Sequence, residues 1–186
     1  MESLRTPYLL LASPSLLDPN FARTVVLMGH HAMEGALGWI VNRIFPQKAR
    51  EILTPPLDGT VHASTPLRVG GPVQTNGLVV LHRDGVPGVE SVEMAPGLLV
   101  CASADILPKL FGGPPPPGPP AGLLILGYAG WGAEQLEHEM GDGSWLVLPY
   151  EEGFAFTNET EDLWERSLAR LGLRPESVSG SSGGVS

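Results

Sequence analysis

The chain has 186 residues, 42% of them hydrophobic, with 11 basic against 20 acidic side chains and a formal net charge of −9 at pH 7. That length predicts one domain able to build a core without staples, and a single cysteine, Cys101, leaves neither a disulfide framework nor a thiolate metal cage. With lysine only at Lys48 and Lys109 the charge balance speaks against duplex nucleic acid and anionic membranes, both of which require a basic face. Residues 1–7 carry no basic-then-apolar signal pattern, and no apolar run approaches the roughly 20 residues of a membrane span. The location expected from this is cytoplasmic.

In chain order, Tyr8 to Ala12 is a short continuous apolar run closed by Ser13-Pro14 and reads as a buried strand. Asp18-Pro19-Asn20 makes a turn, and the β-branched stretch Arg23 to Gly29 and the run Ala36 to Val41 predict a hairpin, with His30-His31 in its connection. Pro46 suits a first helical turn, so a helix is expected over Ala49, Ile52 and Leu53, ended by Pro55-Pro56. Leu67 to Val69 and Gly77 to His82 read as strands around a Gly70-Gly71-Pro72 turn, and Leu98 to Ala102 as another before a short helix reaching Leu110. Residues 112–122 hold six prolines and four glycines and predict a solvated surface loop. Leu123 to Gly127 is an apolar strand, and Gly127-Tyr128-Ala129-Gly130-Trp131-Gly132 reads as a glycine-rich turn into a helix with Ala133, Leu136 and Met140 on its core face. Trp145 to Leu148 and Phe154 to Phe156 follow as strands. A final helix has Asn158 as its cap, Glu161 three residues on, and Trp164, Leu168 and Leu171 facing inward up to Gly172. Residues 177–186 are Ser/Gly-rich and expected to be disordered, leaving residues 1–176 as one domain. Hairpins mixed with helix-separated strands imply α+β with a mixed sheet.

The polar residues assemble no familiar reaction centre by spacing. His30, His31, Glu34 and His82 lack the patterns of a zinc site, so no metal and no cofactor are expected, and hydrogen-bonded structural histidines are the simpler reading. Glu134 and His138, like Gln135 and Glu139, are four apart on a helix and face one another; acidic groups near a helix start are expected to complement its dipole and form a solvated face. Neither a dinucleotide fingerprint, nor a lysine-bearing phosphate loop, nor a nucleophile elbow is present.

Taken in order, several blocks add up. Asp18-Pro19-Asn20-Phe21-Ala22-Arg23-Thr24-Val25-Val26-Leu27, Glu34-Gly35-Ala36, Val41-Asn42-Arg43, Gly70-Gly71-Pro72-Val73-Gln74, Leu81-His82, Leu126 to Trp131, Gln135-Leu136-Glu137 and Trp145-Leu146 run in sequence between about Tyr8 and Leu171. This set resembles the YqgE/AlgH family of bacterial proteins. The resemblance implies a single α+β domain whose bent, bifurcated sheet curls toward a pseudo-barrel with helices packed outside. It brings no established activity, and the family's older designation as transcriptional regulators comes with no DNA-binding motif. By position, its recurring residues map onto His31, Glu34, Asn42, Arg43, Gly70, Gly71, His82, Trp131 and Gln135, the candidate ligand-binding set; Ile44 stands where the family usually has proline.

Three functional readings follow, in this order. The first is a non-catalytic binding or regulatory module for an unknown protein or small-molecule partner. The second is an enzyme of unknown reaction with His31, Glu34 and His82 lining one cleft, and the third a transcriptional regulator, which the acidic charge disfavours.

Overall fold

The computed structural model describes residues 4–53 and 59–178. The helix end expected at Pro55-Pro56 and all but the first two residues of the Ser/Gly tail lie outside the described residues; Pro175–Val178 forms a 3-10 turn. Ten strands are described: β1 (Tyr8–Ala12), β2 (Val25–Ala32), β3 (Gly35–Ile40), β4 (Ile44–Lys48), β5 (Pro66–Val69), β6 (Val73–His82), β7 (Val92–Ala95), β8 (Leu98–Cys101), β9 (Gly122–Gly132) and β10 (Trp145–Pro149). Five short helices accompany them: α1 (Ala49–Ile52), α2 (Leu107–Phe111), α3 (Gln135–Gly141), α4 (Glu152–Ala155) and α5 (Leu163–Arg170).

The strands follow the order β10-β1-β2-β3-β9-β6-β8-β7, with β4 joined through β5 to β9. Every pair is antiparallel except β5 with β9. The long strand β9 is the hinge of the sheet. Residues 129–132 pair with β3, while Ile125 and Leu126 take β5 on that same edge and β6 on the other. The fork falls at Gly127, whose φ of +75° is a left-handed conformation that glycine adopts without penalty.

Successive side chains of a strand point to opposite faces, and β1 is buried on both. Leu9 and Leu11 meet Leu27, Trp39, Leu81, Leu98, Leu123 and Ile125 from both branches of the fork, joined by Phe156, Trp164 and Leu168 from the C-terminal segment. Tyr8, Leu10 and Ala12 join Met28, Ile40, Trp131, Trp145 and Leu136 of α3 on the other face. A third cluster packs α1 and α2 (Ala49, Leu107, Phe111) onto Leu67, Val80 and Leu124. Residues from both branches share the first cluster, so the sheet is curled into a half-barrel in one domain.

Several expectations are corrected. The helix placed after Pro46 is strand β4 followed by the single turn α1. Pro46 sits where the β4–β5 register slips, between the pairs Ile44–Arg68 and Lys48–Pro66, so its missing N–H costs no ladder bond there. Phe154 to Phe156 is not a strand: Phe154 and Ala155 belong to the turn α4, and Phe156 is drawn into the first core cluster. Residues 127–132 do not turn into a helix but extend β9. His30 and His31 lie inside β2. Helix α5 starts at Leu163 with Asp162 at its cap position, while Asn158 accepts a hydrogen bond from Arg68. Strand β7 carried only an alternating Val-Glu-Met-Ala signal, too short to stand out from a loop.

Candidate functional site

The nine candidate residues fall into five environments. Asn42 and Arg43 are clamps on the segment before β2. Asn42 Nδ2 donates to Arg23 O at 2.9 Å and its Oδ1 accepts from Val25 N at 2.8 Å, while Arg43 donates to Asn20 O at 2.6 Å and Ala22 O at 3.1 Å. Those bonds hold Arg23 at its left-handed φ of +59°. Burial pushes the Arg43 guanidinium down from its ordinary value, partly offset by Asp18. Gly70 and Gly71 lie on the fork, where backbone passes over backbone: a Cβ on Gly70 would sit 2.2 Å from Gly127 O, and one on Gly71 2.2 Å from the Tyr128 carbonyl. They are therefore corners of close approach.

His82 is buried with both ring nitrogens occupied, Nδ1 by Asp84 O at 2.8 Å and Nε2 by Ser91 Oγ at 2.9 Å. Glu34 is exposed and pairs with His30 at 3.4 Å, not with His31. His82 is registered with Gly122, whereas His31 connects through Ala36 to Trp131. These are opposite ends of β9, about 30 Å of strand apart. The single cleft of His31, Glu34 and His82 is thereby corrected: three residues close in the linear order of motifs belong to different ends of the sheet.

His31, Trp131 and Gln135 do converge, beside α3. The Tyr8 hydroxyl lies 2.8 Å from His31 Nδ1, and His31 Nε2 lies 2.8 Å from Glu137 Oε1. An ionised carboxylate only accepts, so Nε2 carries the proton toward Glu137, and in the neutral imidazole Nδ1 then accepts from the Tyr8 O–H. Two residues further along α3, Glu139 is a hub: its Oε2 accepts from Trp131 Nε1 at 3.0 Å and Trp145 Nε1 at 2.7 Å, and its Oε1 from Gln135 Nε2 at 2.9 Å. Gln135 Oε1 in turn accepts from Gly132 N at 3.0 Å, tying the end of β9 to the start of α3. Phe21 completes an aromatic cluster, stacked on Trp131 at 6.1 Å and edge-on to Trp145 at 5.5 Å.

The acidic residues of α3 are thus more than the solvated face expected of them. Tyr8, Glu137 and Glu139 were outside the candidate set. The i,i+4 spacing of Gln135 and Glu139 was a usable signal for the hub, but Tyr8 comes 23 residues before His31, and only strand pairing unites them. Glu134 lies just before α3 rather than on it, and the His138 ring meets its backbone carbonyl, Nδ1 to O at 2.7 Å. Among the described residues, no group of three or more His, Cys, Asp or Glu gathers as a metal ion would need.

The hydrogen bond from His31, followed by a backbone one, holds the Glu137 carboxyl below its ordinary value, against a smaller opposing effect of burial. Burial, and then the Glu137 charge, raise the Tyr8 hydroxyl well above its ordinary value. A carboxyl depressed in the folded state adds stability above its unfolded pKa and loses it as pH falls through the lower folded value. In urea titrations the stability gap between wild type and Glu137→Gln is therefore expected to be largest near neutrality and to shrink as pH falls below about 4.5, the ordinary value. A gap that stays constant from pH 7 to pH 3 would contradict the His31–Glu137 coupling.

A forked, curled sheet locked by a glycine crossing, with carboxylates of one short helix gathering indole, amide and imidazole groups, defines a single-domain α+β half-barrel. The chain belongs to the AlgH-like family, whose model matches residues 9–176. A UPF0301 protein of Anaeromyxobacter dehalogenans strain 2CP-C is 40% identical over 178 residues, covering 91% of this chain and 89% of that one. A UPF0301 protein of Xanthomonas euvesicatoria is 38% identical over 181 residues, covering 93% and 94%. The solution structure of the AlgH protein from Pseudomonas aeruginosa is similar along the full length of both chains, with a TM-score of 0.71 and 31% identity. A crystal structure of a Corynebacterium diphtheriae protein, 23% identical with a TM-score of 0.67 over 90% of this chain and 87% of that one, shares the fold.

Proposed function

We propose that this chain is a non-catalytic binding or regulatory module, working in the cytoplasm without a cofactor, that grips a basic, partly apolar segment of a protein partner on the face carrying α3. The supporting observation is a shallow hollow of about 610 Å³ lined by Met33, Glu134, Glu137, His138, Gly141 and Asp142. Met33 is 91% exposed at its edge, an apolar anchor set among three carboxylates. A lysine- or arginine-bearing segment with one apolar side chain complements that pattern. The same acidic surface repels a nucleic-acid backbone, which weighs against the regulator that reads DNA. The pseudo-barrel with α1 to α3 on its outer faces serves in this reading as a rigid support.

The enzyme reading has one observation in its favour, the hydroxyl–imidazole–carboxylate order of Tyr8, His31 and Glu137. Nucleophilic catalysis needs a hydroxyl that substrate can reach and that an adjacent base or a lowered pKa activates. Tyr8 is 3% exposed and its hydroxyl is shifted the other way, so the chain is read as a positioning device for Glu137. The test is an amide-shift titration of the full chain with a twelve-residue Lys/Leu peptide. Saturable changes confined to residues 31–34 and α3, lost in a Met33→Ser, Glu137→Gln variant, are expected. Turnover of ester, amide or phosphoester substrates that His31→Gln abolishes would reverse the choice.

A further inference from the structure

The geometry points to a second binding site, remote from the α3 face: a small cavity under the Pro/Gly loop in which buried Arg68 receives the carboxylate of a short aliphatic acid. Arg68, in β5, is 1% exposed and is the largest fully buried side chain of the molecule among the described residues. It donates to Val41 O at 2.6 Å, to Thr157 O at 2.7 Å and to Asn158 Oδ1 at 3.4 Å. All three acceptors are neutral, and among the described residues no carboxylate pairs with it. Burial alone pushes its pKa down to about 10, so it remains a cation at neutral pH. Carbonyl dipoles lower the cost of burying such a charge but leave it uncompensated.

Arg68 lines a cavity of about 40 Å³ together with Asn158, Leu110, Phe111, Leu124 and Pro116, and among the described residues no acidic one shares that lining. At roughly 10–15 Å³ per water-sized occupant, the space suits about four non-hydrogen atoms. The composition of the walls selects among anions. Beyond Arg68 the side-chain donors of the lining are the Thr65 hydroxyl and the Asn158 amide, while the prolines, Leu110, Phe111 and Leu124 offer none, too few for the four oxygens of a phosphate or sulfate. Three of the five Arg68 N–H groups already serve Val41, Thr157 and Asn158, so a carboxylate oxygen would accept from what remains on Nη1 and Nε, and a one- or two-carbon tail would meet the apolar walls. Acetate, with four non-hydrogen atoms, has the right size, and propionate, one carbon longer, marks the upper limit. On this view the biased segment 112–122 is the roof of a site rather than a mere surface insertion.

The experiment is an amide-shift titration of the full chain with sodium propionate, against sodium chloride and sodium phosphate at matched ionic strength. Saturable shifts at Gly113, Gly122, Leu123 and Leu124 with propionate, and not with the inorganic salts, are expected. Leu110→Trp, which fills the cavity and leaves Arg68 in place, should abolish them while leaving the α3-face response to the Lys/Leu peptide intact. Arg68→Gln should weaken propionate at least tenfold; should that variant fail to fold, the cavity-filled one decides. Equal shifts from chloride or phosphate, no saturation, or persistence of the propionate response in Leu110→Trp would each overturn the assignment. Because the two responses are read at different residues, failure here is separable from failure of the α3-face reading.

Discussion

Gly70→Ala is expected to destabilise the protein by more than about 4 kcal/mol, enough to leave much of it unfolded in dilute buffer. The added methyl would lie 2.2 Å from Gly127 O and 2.4 Å from Ile125 Cγ2, and the first of these is backbone that cannot rotate away. The crossing is equally close seen from Gly127, where an added Cβ would lie 2.6 Å from Gly71 O. The crossing also carries two bonds that hold the fork together, Ile40 N to Gly70 O at 2.8 Å and Gly70 N to Leu126 O at 2.7 Å. Separating the backbones to admit a methyl would stretch both. Urea unfolding followed by circular dichroism measures the effect, with Gly85→Ala as the control because nothing lies within 4 Å of that Cβ. The control is expected to stay within about 0.5 kcal/mol of wild type. A Gly70→Ala protein equally close to wild type would mean the two branches do not touch here.

The second large effect is expected at Glu139. Glu139→Ala removes the acceptor of two indole N–H groups and of the Gln135 amide, and both indoles belong to buried rings. An orphaned buried donor costs about 1–3 kcal/mol, so a loss of roughly 3 kcal/mol is expected after partial rescue by water. Glu139→Gln keeps one carbonyl oxygen for the indoles but turns an amide toward the Gln135 amide, and about 1 kcal/mol is expected. Tryptophan fluorescence during urea unfolding reads both, since Trp131 and Trp145 report directly on the hub. Equal losses in the two variants would show that the negative charge, rather than the acceptor geometry, stabilises the cluster.

Much of the strand framework was legible locally. β1 declared itself through five consecutive apolar residues, and the β2–β3 hairpin through β-branched and apolar runs around Glu34-Gly35. Where a local rule met a tertiary demand, it lost. Pro46 signalled a helix start but lies on a slipped edge strand, and the glycines of 127–132 signalled a turn but let β9 bend and continue. Asn158 and Glu161 matched a capping pattern, yet the Asn158 side chain serves buried Arg68.

The candidate site divides in the same way. Residue types and their order were sufficient for one acidic α+β domain and for its family, because hydrophobic period, turn glycines and charge are properties of a chain read locally. They could not say that His82 is satisfied at one end of β9 while His31 joins Tyr8 and Glu137 at the other, nor that Arg68 is enclosed without a counter-charge among the described residues. Those facts depend on which strands pair and in what register. Register brings residues together that are far apart in the chain, and no short window of sequence holds both partners of such a contact.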